Sequence, residues 1–317
     1  LRGARWELIH RSSGKVDLWR ATLISWTGLA INGIVPGRLG EVLKIALAAR
    51  QFGKSLTLTG ATVVVERLLD CATLLLFLVL AVMMIAAGGH GIDRAGQAGD
   101  TLSGILVNAV VIVVILGTLG AMVSAAGVNP GPGNYLVRLA AGIPGIGAWS
   151  SSRLPGLLRN AASGMDVLRD RKILFAALLQ SAAMWFFIVL ANFTVSYAMP
   201  GPGLSLSQAF LLTTLSVGFS ALPSAPGSWG LFEAGALVAL NISDVALSDA
   251  DAVALVLVMH AVQYIPVVLI GMIAATAAHV PLRSVPAITA RVEQSLASTD
   301  THRSETESGA DRTAQGP

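Results

Sequence analysis

Charge is the scarcest property of this chain. Asp, Glu, Lys and Arg make up 12% of its 317 residues while 54% are hydrophobic, against roughly 25% charge in soluble domains. A soluble globular fold is excluded and an integral membrane protein is implied. Cysteine is almost missing, and Cys71 alone permits neither a disulfide framework nor a cysteine metal cluster. Its ordinary reading is an apolar helix residue. No histidine pair at metal spacing, Gly-rich phosphate loop or nucleophile elbow occurs, so no metal, cofactor or catalytic residue is expected and nothing argues for an enzyme. The net charge is only +3, its basic residues flank apolar segments, and nucleic-acid motifs are lacking, so nucleic acid is not an expected partner. A signal-peptide pattern is lacking too, because residues 1–20 are polar and basic.

What is present is a series of apolar segments, two of them broken. Ala21 to Val35 is too short to cross about 30 Å of hydrocarbon, and it runs into Pro36 and Gly37, which cannot continue a helix. Arg38, Gly40, Glu41 and Lys44 follow where lipid-facing residues would be expected. The device returns at Pro223, Pro226, Gly227 and Gly230, with Glu233 after it. A broken segment persists at membrane depth only where protein or a wet cavity covers its freed backbone groups. Two such breaks at corresponding places in two halves point to a transporter-like site.

The expected order is a cytoplasmic flank (1–20), a re-entrant hairpin (21–50), spans at 61–87 and 102–126, a cytoplasmic loop (127–172) with an interfacial helix near 154–168, a span at 173–199, a second hairpin (205–241), a span at 252–278 and a disordered cytoplasmic tail (284–317). Arg94 is the one fixed cation in the segments this order places outside, as the positive-inside rule requires. The fold class expected is therefore an all-α polytopic membrane protein with about four full spans. One hairpin opens from the cytoplasm and the other from outside, which makes the halves an inverted repeat. The second half has a span before its hairpin, so symmetry predicts a further transmembrane helix upstream of Leu1.

Arg38, Glu41, Lys44, Glu66, Arg67, Asp70 and Glu233 fall within these segments. Isolated, they would cost roughly 15 to 25 kcal/mol in sum on insertion scales, so they must be paired or wet. Glu41 and Lys44, three apart on a helical face, can form an internal pair, and Lys44 and Glu66 can snorkel to an interface. Gathering at chain breaks favours a functional set instead. The break at Pro36 and Gly37 aims a half-helix N-terminus into the bilayer with Arg38 in its first turn, an arrangement suited to phosphate. Arg67 is a second candidate ligand, while Glu233 balances the opposed half-helix or meets a cationic group. His260 with Gln263 and Tyr264 reads as a proton relay or a hydrogen-bonded packing cluster. Asn32, Gln180 and Asn192 read as interhelical hydrogen bonds. Trp6, Trp19, Trp26, Trp149 and Trp185 read as interface anchors, with Trp229 placed to gate the second break.

At Asn32 with PGRLGE (Pro36 to Glu41), ERLLD (Glu66 to Asp70) and PSAPGSWGLFE (Pro223 to Glu233), the chain resembles the lysylphosphatidylglycerol synthase transmembrane family, the flippase-like membrane domain. The resemblance spans about Arg20 to Arg283. It implies a multi-pass protein of the bacterial or archaeal cytoplasmic membrane, C-terminus inside, that moves lipids between leaflets or helps to. The best-known members are joined to a cytoplasmic aminoacyltransferase that puts lysine on phosphatidylglycerol. The stretch 284–317 is too short for that domain, and the family pattern likewise expects a first transmembrane helix. The function expected is translocation of a phosphate-bearing phospholipid or polyprenyl-phosphate lipid, with membrane lipids and a separate lipid-modifying or glycosyl transferase as partners. The alternatives are an ion-coupled carrier of a soluble solute and a membrane-embedded transferase on lipid-linked substrates. The particular lipid, the energy source and the oligomeric state stay open.

Overall fold

The computed structural model describes residues 1–11, 14–35, 39–87, 168, 170–221, 225–278 and 280. Among them every regular element is helical: α1 (Arg2–His10), α2 (Leu18–Ile34), α3 (Leu39–Phe52), α4 (Leu56–Ala87), α5 (Arg171–Ala198), α6 (Leu206–Ser220), a single 3-10 turn (Pro226–Ser228), α7 (Leu231–Ile242) and α8 (Asp249–Ala277). Three stretches are long and apolar enough to cross a membrane: Leu56–Ile85, Arg171–Ala198 and Asp249–Ala277. At 1.5 Å per residue, α2 and α3 reach about 25 and 21 Å, and α6 and α7 about 22 and 18 Å. None of these four reaches the ~30 Å of a hydrocarbon core. The expected span 102–126, most of the loop 127–172, the tail 284–317, and Pro36, Gly37, Arg38 and Pro223 lie outside the described residues.

Local chemistry sets the helix ends. The Asp17 side chain accepts from the Arg20 amide to start α2, Asp170 accepts from Lys172 and Ile173 to start α5, Ser205 and Gln208 form a reciprocal box at α6, and Ser248 accepts from the Asp251 amide at α8. Each satisfies helix-start amides that hydrocarbon could not. Val35 (φ −105°, ψ 132°) and Ala225 (φ −56°, ψ 160°) are extended because a following proline disfavours the α conformation. After Pro226 the chain passes through three residues of positive φ, Gly227 (70°), Ser228 (61°) and Gly230 (88°), before α7 begins.

Of three buried cores among the described residues, two share α4 and α8. One gathers Phe77, Leu78, Trp185, Phe210, Leu211, Leu212, Phe232 and Met259 from α4 to α8; the other gathers Trp6, Ile24, Leu43, Leu47, Val63 and Ala275 around the first helix pair. Inside that pair the backbones nearly touch. A Cβ on Gly40 would lie 2.0 Å from the Gly28 carbonyl oxygen, so α2 and α3 close on each other with no side chain between them. Such small-residue contact replaces the hydrophobic drive that lipid removes. The outward faces of α5 and α8 carry Phe175, Phe187, Leu269 and Ile273, each at least 59% exposed. A lipid-facing surface explains that pattern, and a soluble one does not.

Candidate functional site

α4 carries the centre of the site. Glu66 and Asp70 sit about 15 and 21 Å along the helix from Leu56, with side chains only 4% and 5% exposed. Being four apart they share a face, and α1 brings Arg5 to it. Arg5 Nη1 donates to Asp70 Oδ1 at 2.5 Å and to Ser181 Oγ of α5 at 2.6 Å, while Nη2 donates to Glu66 Oε1 at 3.1 Å. Trp185 Nε1 adds a 3.0 Å bond to Asp70 Oδ1. From α3, Lys44 Nζ donates to Glu66 Oε2, and its ammonium lies 4.1 Å from the centre of the Trp6 ring. Toward the open side, Arg67 Nη2 meets Glu41 Oε1 at 2.6 Å and Nη1 lies 3.5 Å from Asp70 Oδ2. The expected pair of Glu41 with Lys44 is not made, because each reaches across to α4 instead.

Beside this network is a small polar cavity lined by Arg2, Ser25, Asn32, Lys44, Glu66 and Arg67, with Gly28, Leu29, Gly40 and Glu41 completing its wall. In this conformation it has room for about one water molecule. Ser25 Oγ, Asn32 Oδ1 and Arg67 Nε are buried there without a hydrogen-bond partner. Such atoms cost free energy unless a ligand or water meets them. Arg2, Arg5, Lys44 and Arg67 gather around Glu41, Glu66 and Asp70, so the cluster holds one more cation than carboxylate. Arg2 is the unmatched one: among the described residues no carboxylate lies within ion-pair distance of it, and its guanidinium sits 5.8 Å from the centre of the Trp185 ring.

A second polar cluster occupies the other break. His260, about 17 Å along α8 from Asp249, places Nδ1 2.6 Å from Glu233 Oε1 and Nε2 3.0 Å from the Gly227 carbonyl oxygen. The Gly230 amide donates to Glu233 Oε2 at 2.7 Å. One turn on, Tyr264 Oη donates to the Gly33 carbonyl oxygen at 3.0 Å, at the mouth of the first break. Gln263 donates to Asn192 Oδ1, and Asn192 Nδ2 to Thr213 Oγ1, tying α8, α5 and α6 together.

The family model described as lysylphosphatidylglycerol synthase TM region matches residues 1–271. The chain belongs to this family. No curated protein and no solved structure matches it. Membership makes it a membrane-integral protein of a lipid-related family, consistent with its three apolar spans.

Of the residues the sequence singled out in this family member, Glu41, Glu66, Arg67 and Asp70 come together, while Glu233 lies in the second cluster and Arg38 outside the described residues. Sequence reasoning missed Arg5, which it placed in a solvated flank, and Arg2 beside it. The signal was there: Trp6, Leu8 and Ile9 next to Arg5 give 2–10 an apolar side, and Arg5 is 1% exposed. Trp6 and Trp185 also depart from the anchor reading, since both are buried, the latter as a donor to Asp70. Glu233 and His260 were each noticed, but nothing in sequence pairs residues on different helices.

Proposed function

We propose that this protein is a lipid translocator that passes a phosphate-bearing headgroup through the polar cavity beside α4 while the tails stay in the bilayer, making and breaking no covalent bond. The observation that carries this reading is the polar cavity beside α4. It combines an unmatched Arg2, a half-exposed Arg67 held by carboxylates, and unpartnered Ser25 and Asn32 oxygens. A phosphate matches the arginines and Ser25, since it accepts from guanidinium groups in pairs and from a serine hydroxyl, while the Asn32 oxygen would accept from a donor elsewhere on the headgroup. Arg38 immediately precedes Leu39, the first residue of α3, in the sequence, and a cation at that position suits a helix start that receives a phosphate. Glu41 is then a place-holder that a phosphate displaces from Arg67, with Glu66 and Asp70 fixing the arginines beneath.

The helix pairs 18–52 and 206–242 act as opposed re-entrant hairpins of an inverted repeat, rocking to expose the cavity to each leaflet in turn. The small size of the cavity suits a closed conformation that opens to admit a headgroup. In this reading the chain sits in a bacterial cytoplasmic membrane with residues 284–317 inside, and serves a separate lipid-modifying or glycosyl transferase. The test is leaflet exchange of headgroup-labelled phospholipids and polyprenyl phosphates in proteoliposomes, for the chain and its Arg38→Ala and Arg67→Ala variants. Exchange of one lipid class, slowed at least tenfold in both variants, is expected. Absence of exchange for every lipid with folded protein in the vesicles refutes the reading, and uptake of a soluble solute or turnover in detergent would replace it with a carrier or a transferase.

A further inference from the structure

Both ring nitrogens of His260 face oxygen atoms, and this fixes how many protons the site contains. The Gly227 carbonyl can only accept, so Nε2 carries a hydrogen. At Nδ1 the partner is a carboxylate oxygen at 2.6 Å, a contact that needs a second hydrogen, on either the imidazole or Glu233. The pair therefore contains one proton more than a neutral imidazole and a carboxylate would. Two rings cover the imidazole faces, Phe232 stacked at 4.3 Å and 23°, and Trp229 at 4.4 Å and 38°. Aromatic faces stabilise a cation placed over them. The Gly230 amide on Glu233 Oε2 likewise stabilises the carboxylate form.

Among the described residues the neighbourhood supplies no rival charge. α6 carries no ionisable residue and α7 only Glu233. On α8, Asp249 and Asp251 lie about 17 and 14 Å away along the helix, and Tyr264 is bonded to the Gly33 carbonyl. On α2, Arg20 is about 20 Å along the helix from Gly33. On α5, Arg171 and Lys172 are at its first turn, with Tyr197 at its far end. The turn Pro226–Ser228 has no ionisable side chain. His260 is buried, but the stack opens outward through Trp229, which is 42% exposed.

We propose that the Glu233 and His260 pair is a proton-binding site that locks the second helix break shut, so that movement of the cavity between leaflets is coupled to a proton. With the proton present, the pair ties α8 to both ends of the break, through Gly227 and through the Gly230 cap. When the proton leaves to water, the Nδ1 lone pair faces a carboxylate oxygen at 2.6 Å. That contact is repulsive, and the break is released. One proton is bound on closing and one given up on opening, with no other reactant. The site is separate from the phosphate cavity, and its coupling role rests on the translocator reading above.

Two measurements test it. The first needs no transport: Trp229 emission, taken as the difference between the chain and its Trp229→Phe variant, is followed from about pH 5 to 9 in detergent. A single titration step, absent in Glu233→Gln and His260→Gln proteins that keep the parent's unfolding midpoint, is expected. A flat profile in the parent overturns the proton site. The second is lipid exchange in proteoliposomes with a pH gradient of either sign. One coupled proton allows about a tenfold asymmetry of the labelled lipid per pH unit, reversing with the gradient. Exchange indifferent to the gradient overturns the coupling and leaves the translocator reading standing. Absence of all exchange with the titration step intact removes that reading and the coupling with it, while the proton site remains.

Discussion

Replacing Glu66 with Gln removes one negative charge from the least solvated part of the network. Lys44 suffers most, because its side chain is 9% exposed and Glu66 is the carboxylate it reaches. Arg5 keeps Asp70 at 2.5 Å. Stranding a buried ammonium costs about 3 to 5 kcal/mol, and the Trp6 ring 4.1 Å below it returns about 1 kcal/mol. A net loss of about 2 to 4 kcal/mol follows for Glu66→Gln. Adding Lys44→Met removes the stranded charge and keeps most of the side-chain volume, so the double variant should be more stable than Glu66→Gln alone. The coupling in the cycle is then about 2 kcal/mol or more. The outer pair is the internal control: Arg67 and Glu41 are 38% and 26% exposed, and Glu41→Gln should cost less than about 1 kcal/mol. Unfolding by SDS in mixed micelles, followed by far-UV ellipticity, measures the four variants (Glu66→Gln, Lys44→Met, their double and Glu41→Gln) against the parent on one scale. Equal costs for Glu66→Gln and Glu41→Gln, or strict additivity of Lys44→Met with Glu66→Gln, would refute the claim that α4 contains a desolvated ion network.

Gly40→Ala should destabilise by about 2 to 3 kcal/mol or block folding, since its Cβ would lie 2.0 Å from the Gly28 carbonyl; Gly218→Ala, in a helix with nothing within 4 Å, should stabilise by about 0.5 to 1 kcal/mol, both read from unfolding midpoints. Trp185→Phe removes the donor to Asp70 and should cost about 1.5 to 3 kcal/mol, with a smaller effect when Asp70 is already Asn. Burial, helped by Lys54, pushes His10 at the end of α1 down from 6.5 to about 4. Below about pH 6.5 the unfolded chain therefore takes up a proton that the fold refuses. Stability should be whole at pH 7 and lower by about 2 kcal/mol at pH 5, a slope that His10→Phe abolishes in melts at the two pH values.

The helical membrane character was legible because apolar composition and run length are one-dimensional properties. The helix ends beside Val35 and Ala225 were legible for the same reason, since a proline dictates the conformation of the residue before it. Pairing was not. Sequence showed Glu41 and Lys44 on one face, but which carboxylate a lysine meets depends on how α3 lies against α4, a packing between residues distant in sequence. Arg5 was hidden by length: a nine-residue helix with polar ends has too few turns to declare a buried side. Trp185 looked like other tryptophans until Asp70 was found opposite its indole. Re-entrance and inversion belong to the proposed mechanism, argued from helices too short to cross and from loop charge.

The bond from Tyr264 to the Gly33 carbonyl joins groups 231 residues apart, and that separation is also an interval of synthesis. At about 5 to 20 residues per second, roughly 10 to 50 s pass between the emergence of Gly33 and that of Tyr264. During that time the first helix pair waits in the membrane with the end of α2 uncovered. The last span is thus the lid under which the first pair finishes folding. A nascent chain halted before α8 leaves that pair exposed to whatever membrane protease or insertase reaches it first.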